Sequence, residues 1–127
     1  MILRSSLALL AIAASLLAGC GSAPPAPVAP TVTTDGVLTA KNGLTLYTFD
    51  RDSAGKSVCN DKCAANWPPL LATSDAAVPA DYSVITRDDG SKQYAYKGKP
   101  LYFWAKDTKA GDKTGDGFNK VWHAATP

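Results

Sequence analysis

The chain has 127 residues and nearly balanced charge, with 13 lysines and arginines against 11 acidic residues, all of them aspartate. A balance this close gives no electrostatic footprint for nucleic acid or for an anionic surface, so the sequence predicts no nucleic-acid partner. The length allows one small domain, and nothing in the composition predicts a cofactor or a metal.

The first 19 residues are interpreted as a secretory signal peptide. Arg4 supplies the positive charge, and an apolar run from Leu7 to Ala18 follows it. The run is too short to cross a hydrocarbon core, which needs about 20 apolar residues. Its end, Leu17-Ala18-Gly19-Cys20, resembles the lipobox of bacterial lipoproteins. The resemblance implies cleavage before Cys20, diacylglycerol on its thiol and acylation of the new amine.

Two or more acyl chains make a lasting membrane anchor. The mature protein is therefore expected in the cell envelope, attached to a membrane by lipid and without a transmembrane helix. Gly21 follows the lipidated cysteine, which in enteric-type bacteria implies the outer membrane. Residues 20–33 are rich in proline and alanine, which predicts a semi-rigid extended stalk. The folded domain is expected to span residues 34–127.

Alternating apolar residues predict a first hairpin in this domain, with strands over residues 37–40 and 44–49. Asn42-Gly43 between them is a strong hairpin signal. A second hairpin is predicted over residues 83–86 and 93–96. Residues 101–104 follow as a strand that is apolar on both faces and therefore central, and residues 121–123 form a last short strand.

Cys59 and Cys63 are expected to form a disulfide, because the exported compartment is oxidising. Cβ atoms four residues apart on a helix are about 5–6 Å apart, whereas a disulfide needs about 3.5–4.5 Å. Cys59 should therefore precede a helix that is capped at Asn60 or Asp61 and runs over residues 62–66. Pro68 disfavours helical structure in the residue before it, so the helix must end near Trp67.

An internal repeat with an offset of 55 residues organises the domain. Each copy carries Gly-x-x-Leu-Tyr-x-aromatic-x-x-Asp, followed 15 residues later by tryptophan. The matched pairs are Gly43 and Gly98, Leu46 and Leu101, Tyr47 and Tyr102, Phe49 and Trp104, Asp52 and Asp107, and Trp67 and Trp122. The predicted fold class is mostly β: a small antiparallel domain of two pseudo-equivalent repeats with one short disulfide-linked helix.

The doubled motif resembles a family of secreted lipoproteins with a Tyr-x-(Phe/Trp/Tyr)-x-x-Asp signature. The resemblance covers essentially the whole mature domain. It also rests on the Cys-x-x-x-Cys segment leading into Trp67-Pro68-Pro69 and on the closing Trp122-His123. What it implies is a location and a domain type, since the family has no established activity.

Two interpretations of the motif residues compete. Asp52 and Asp107 could act as acid and base or as ligands, but aspartates that end strands commonly accept backbone N–H groups from the next loop. Asp50 has no acidic counterpart, because Ala105 stands in its place. The motif aromatic residues could stack on a sugar, but more often such residues fill a core. Of the other aromatic residues, Tyr94 and Tyr96 are expected to be partly exposed.

No catalytic motif is found, so the leading hypothesis is a non-catalytic envelope lipoprotein with a binding or structural role, partnered by the membrane and by an envelope protein or a glycan. One alternative is a metal or redox module in which Cys59 and Cys63, with His123, bind a soft ion such as Cu(I). Another alternative is a glycan-binding module that uses exposed aromatic residues. The aspartates of the loop 107–117 do not have the spacing of an EF-hand.

Overall fold

The computed structural model describes residues 26–73 and 77–127. The predicted signal peptide, the lipidation site Cys20 and the first part of the stalk lie outside these residues. Within the described ranges, no helix is both long and apolar enough to cross a membrane.

Short antiparallel strands dominate the structure, which confirms the predicted fold class. The elements in chain order are β1 (Thr31–Thr34), β2 (Val37–Ala40), β3 (Tyr47–Phe49), α1 (Lys62–Asn66), β4 (Tyr82–Thr86), β5 (Lys92–Tyr96), β6 (Lys99–Pro100), a 3₁₀ turn (Phe118–Lys120) and β7 (Trp122–Ala124). The described strands form three sheets, β1-β2, β3-β7 and β4-β5-β6.

The first strand was not predicted. β1 begins at Thr31, inside the segment assigned to the stalk, and pairs with β2 from Thr31↔Ala40 to Thr34↔Val37. Asp35 and Gly36 between them have positive φ values of 50° and 79°, as a two-residue hairpin turn requires. Only the first residue of β1 is buried, so the strand lacks the apolar alternation by which sequence reasoning finds strands.

Both motif segments are less regular than predicted. In the first, residues 44–46 fold back along β2 with a bridge between Thr39 and Thr45, so the predicted hairpin forms at its turn end. The continuation Tyr47–Phe49 is the only regular strand of the segment, and it pairs with β7. In the second, Tyr102 has bridges on both sides, to Tyr47 and to Pro69. The central position of this segment is therefore confirmed, but no regular strand forms there. Pro68 and Pro69 supply no backbone N–H, so the hydrogen bonds on that side come only from other residues, such as Phe103 N–H to the Pro68 carbonyl oxygen at 2.7 Å.

The second hairpin and the helix agree with prediction. β4 and β5 pair from Tyr82↔Tyr96 to Thr86↔Lys92, and α1 covers Lys62–Asn66. Cys59 precedes the helix and forms the disulfide with Cys63, with the two Cα atoms 5.1 Å apart. The side chain of Asp61, at the N-cap position, makes no capping hydrogen bond.

Two apolar clusters form the core, and adjacent residues of the motif contribute side chains to both of them. Because successive side chains of an extended chain point to opposite sides, Leu46 and Leu101 enter one cluster while Tyr47 and Tyr102 enter the other. The first cluster also contains Leu38, Ala40 and Ala125. The second also contains Cys59, Trp67, Trp104 and Trp122.

Candidate functional site

The two motif tyrosines meet at the centre of the molecule. The backbone N–H of Tyr47 donates to the carbonyl oxygen of Tyr102 at 2.8 Å, and that of Tyr102 donates to the carbonyl oxygen of Tyr47 at 3.0 Å. The Tyr47 hydroxyl donates to Asp107 Oδ2 at 2.5 Å, and the Tyr102 hydroxyl donates to Asp52 Oδ2 at 2.6 Å. Each repeat therefore binds the aspartate of the other repeat.

The remaining oxygen of each aspartate closes a loop, as the structural interpretation predicted. Asp52 Oδ1 accepts the Val58 backbone N–H at 2.8 Å. Asp107 Oδ1 accepts the backbone N–H and the hydroxyl of Thr114 at 3.1 and 2.6 Å. The hydrogen bonds from the tyrosines were not foreseen, since nothing in a single motif indicates that its partner lies in the other copy.

Burial determines the ionisation of this centre. Tyr47 and Tyr102 are both 0% exposed. Burial, and after it the hydrogen bond to a carboxylate, raises the pKa of both tyrosines far above the usual value. Burial also raises the pKa of Asp52, against the opposing effect of its hydrogen bonds from Tyr102 and Val58. The two tyrosines therefore stay protonated, and both oxygens of Asp52 are hydrogen-bonded. Groups in this state suit a structural role better than proton transfer.

Four aromatic rings form a continuous stack beside the tyrosines. The ring centroids of Phe49 and Trp122 are 4.2 Å apart, those of Trp122 and Trp67 are 3.8 Å apart, and those of Trp67 and Trp104 are 4.0 Å apart. Tyr47 packs edge-on against Trp67, and Tyr102 packs in the same way against Trp122. The three tryptophans are at most 6% exposed, so they fill the core and offer no platform for a sugar.

The disulfide segment is tied to this centre through a buried arginine. Arg87 is 4% exposed. Its guanidinium donates to Ser57 Oγ at 3.0 Å, to Gln93 Oε1 at 2.7 Å and to the carbonyl oxygen of Cys59. Ser57 Oγ in turn lies 2.5 Å from the Tyr102 hydroxyl. Sequence reasoning missed this network, because an arginine at the end of a hairpin strand gives no signal of burial.

The pseudo-symmetry fails at one exposed pair. His123 Nε2 lies 2.7 Å from Asp50 Oδ2, and both side chains are about half exposed. At an offset of 55, Ala105 replaces the aspartate and Pro68 replaces the histidine. The histidine therefore contacts a carboxylate of the first repeat and not the cysteines, which are joined to each other. The repeat alignment shows both residues as polar side chains without a polar counterpart, among several other positions that differ between the copies.

A groove lies beside this pair, between the two repeats. It consists of two adjoining cavities of about 270 and 320 Å³ that share Thr48, Asp50, Lys97 and Lys99 in their walls. One wall is β3 of the first repeat, and the other is the turn between β5 and β6 of the second. His123 lines only the larger cavity. In the described part of the chain, no hydroxyl group hydrogen-bonds to His123, and no group of three or more histidine, cysteine or acidic side chains is arranged to hold a metal.

A family model described as a secreted repeat of unknown function matches residues 30–71 and 83–126. The chain belongs to this secreted-repeat family. The two matched ranges are the two halves that exchange tyrosine–aspartate hydrogen bonds, so two copies of the family unit build one core. The first range begins one residue before β1, which agrees with the early start of the folded part. No curated protein and no solved structure matches the chain.

Proposed function

We propose that this secreted-repeat protein is a lipid-anchored, non-catalytic binding module of the cell envelope, and that its ligand site is the groove between the repeats. One observation carries the proposal. The Asp50–His123 pair is exposed, lies in the groove and has no counterpart in the other half of a pseudo-symmetric core. Residues that both repeats share are explained by folding, whereas this pair is not.

The sequence before β1 supports the anchor. Ten residues separate Cys20 from Thr31, and an extended proline-rich chain of that length spans roughly 30 Å. A stalk of this reach would hold the groove clear of the lipid surface while keeping it close to the membrane. The groove would then be available to components of the envelope.

Membrane fractionation of the full chain and of the Cys20→Ala variant tests the anchor. The unaltered protein should sediment with membranes, incorporate labelled fatty acid and require detergent for release. The variant should lose the label and the detergent requirement. Fatty-acid labelling that persists in the variant would contradict lipidation at this residue.

The binding role is tested by nuclear magnetic resonance of the detergent-purified protein titrated with soluble envelope fractions. Shifts confined to the backbone amides around the groove, such as those of Asp50, Gly98 and His123, are the expected result. Shifts centred elsewhere, or none with any fraction, would reject the groove as the site. A hydrolytic activity that His123→Ala abolishes would reject the non-catalytic role.

A further inference from the structure

Both side-chain carboxylates of the smaller cavity are already hydrogen-bonded to protein groups. Asp50 Oδ2 contacts His123 Nε2. Asp52 accepts the Val58 N–H with one oxygen and the Tyr102 hydroxyl with the other. Both oxygens of Asp52 and one oxygen of Asp50 are therefore already engaged.

Two lysines supply the positive charge of this cavity, and neither is neutralised. Lys97 and Lys99 are exposed and line the cavity. Among residues 26–73 and 77–127, neither ammonium group forms a salt bridge within 4.0 Å. The Lys97 ammonium lies 5.2 Å from the centroid of the Tyr96 ring, an aromatic contact that leaves its charge uncompensated. The two ammonium groups are therefore the charged groups lining this cavity that have no hydrogen-bond or ion-pair partner among those residues.

The turn that carries these lysines is held in a costly conformation. Lys97 has φ 48° and Gly98 has φ 79°, and such two-residue turns favour asparagine, aspartate or glycine at the first position. At the matched position the first repeat has Asn42, which does not have a positive φ, so only Gly43 of that turn does. A long cation at this place in the second repeat works against the turn, so its presence calls for another reason.

The backbone of the turn is fixed from two sides. The Lys97 N–H donates to the Asp81 carbonyl oxygen at 2.7 Å, and the Gly55 N–H donates to the Gly98 carbonyl oxygen at 2.8 Å. The second contact joins the first repeat to the turn of the second. The bases of both lysine side chains are thereby positioned before any ligand arrives, which lowers the entropic cost of binding.

We infer that the smaller cavity binds an oxyanion, the carboxylate or phosphate of a small ligand or of a polymer end, between Lys97 and Lys99. The inference rests on the proposed function and specifies its ligand. The cavity volume of about 270 Å³ is close to the lower limit for small-molecule sites, roughly 300 Å³, and suits a group no larger than one sugar ring. Ammonium groups recognise both kinds of oxyanion as point charges.

Calorimetric titration of the detergent-purified full-length processed protein tests this inference with three probes: inorganic phosphate, D-glucuronate and neutral D-glucose. At least one anion should bind, and the neutral sugar should bind more weakly. The anion that binds more tightly identifies the source of the oxyanion. Rising ionic strength should weaken anion binding, because the lysines are exposed.

Two double variants with equal charge change make the test specific. Lys97→Gln with Lys99→Gln should weaken anion binding by about tenfold or more, since the loss of one charge-assisted hydrogen bond already lowers affinity by more than about a factor of ten. Lys41→Gln with Lys62→Gln alters exposed lysines outside the groove and should leave binding unchanged. Equal losses in both variants would show a nonspecific charge effect and overturn the inference.

Nuclear magnetic resonance titrations with the same three probes, followed through the backbone amide shifts, separate the two proposals. If glucose perturbs the groove amides as strongly as the anions do, and the groove-lysine variant retains that response, the oxyanion inference is wrong while the groove remains a binding site. If neither the three probes nor envelope fractions perturb the groove, both proposals fail.

Discussion

The two repeats can be compared residue by residue, because backbone contacts recur at the same offset of 55 as the sequence motif. In each contact, one repeat donates to the other. The Ala125 N–H donates to the Leu46 carbonyl oxygen at 2.8 Å, and at the equivalent place the Leu70 N–H donates to the Leu101 carbonyl oxygen at 2.9 Å. In the same way, the Asp50 N–H donates to the Val121 carbonyl oxygen at 2.8 Å, and the Ala105 N–H donates to the Asn66 carbonyl oxygen at 2.9 Å. The equivalence extends to the backbone of Asp50 and Ala105, although their side chains have nothing in common.

The repeats differ in what surrounds this shared centre. The first has the helix α1 and the disulfide, whereas the second has the long loop 107–117. Gly115 in that loop packs so closely on the ring stack that a Cβ atom there would lie 2.7 Å from Trp67. The comparison teaches that the symmetric positions build the shared centre, whereas unmatched ones cover it, line the groove or, like Arg87 and Gln93, tie the disulfide segment to it.

Ionising the two central tyrosines should destabilise both repeats at once and produce the largest loss in the free energy of unfolding. The pKa of Tyr47 and Tyr102 is raised above the model-peptide value of 10.0, so the folded state holds these protons more tightly than the unfolded state does. Their stabilisation is complete below pH 10 and is lost as pH rises from there towards the folded pKa. With two protons involved, the free energy of unfolding should fall by up to about 2.7 kcal/mol per pH unit.

Tyrosinate absorbance and near-ultraviolet circular dichroism, followed together from pH 8 upwards, check this prediction. Of the five tyrosines, two should ionise only as the circular dichroism signal of the native aromatic core disappears. Ionisation of all five with that signal intact would contradict the burial argument.

Removing one tryptophan from the centre of the stack should lower the free energy of unfolding by a similar amount in either repeat. Trp67→Ala and Trp122→Ala each delete a large buried ring, which typically costs about 3–5 kcal/mol. Because the two rings stack on each other at 3.8 Å, each deletion also exposes the other ring. Urea denaturation should give similar losses, and Trp67→Phe and Trp122→Phe should recover part of the stability. A large loss in only one repeat would show that the geometric symmetry is not energetic symmetry.

Removing one tyrosine hydroxyl should distinguish the repeats. Tyr102→Phe and Tyr47→Phe each leave one carboxylate oxygen without its donor, at a cost of about 1–3 kcal/mol. The loss should be larger for Tyr102, since its hydroxyl lies 2.5 Å from Ser57, which accepts from the buried Arg87, whereas the second contact of the Tyr47 hydroxyl, with the Gly115 N–H, is longer at 3.3 Å. Denaturation of each variant, compared with Tyr94→Phe as a partly exposed control, measures the difference. A larger loss for Tyr47 would mean that the arginine network does not depend on the hydroxyl.

The disulfide tests the first repeat alone. Replacing Cys59 and Cys63 by serine removes a five-residue closed loop, for which chain entropy predicts a loss of about 2 kcal/mol. The measurement is urea denaturation of the variant and of the reduced wild-type protein. Similar losses in the two samples are expected, and a much larger loss in the serine variant would assign the effect to packing at the fully buried Cys59.

Sequence reasoning reached the elements whose cause is local. The hairpin β4-β5, the helix at Lys62–Asn66 and the disulfide follow from alternation, from turn residues and from the geometric limits on two nearby cysteines. The repeat was visible because identical residue types recur at a constant offset. Each of these inferences needs information from only one stretch of chain, or from two stretches that look alike.

Contacts between dissimilar stretches were out of reach. The buried Arg87 and Gln93 satisfy each other and loop groups some 30 residues away, but in the sequence they are ordinary polar residues of a hairpin. Each tyrosine hydroxyl donates to the aspartate of the other repeat because the two copies cross at the tyrosines. An alignment of one copy with the other contains no information about this crossing. The groove could not be foreseen for the same reason, although Asp50 and His123 were already recognisable as departures from the repeat.

The smallest expected change in stability carries the sharpest comparison. Asp50→Ala gives the first repeat the residue that the second has at the same position and removes the exposed contact with His123, worth under about 1 kcal/mol. It also removes a carboxylate from the cavity that holds Lys97 and Lys99. Anion binding should then become tighter, by about a few-fold, because solvent and salt screen part of the repulsion between this carboxylate and the anion. Denaturation and phosphate titration of this one variant therefore separate the two roles. Unchanged stability with tighter binding means that the departure from symmetry adjusts the ligand site, whereas a loss of stability above 1 kcal/mol with unchanged binding would make the Asp50–His123 pair part of the fold.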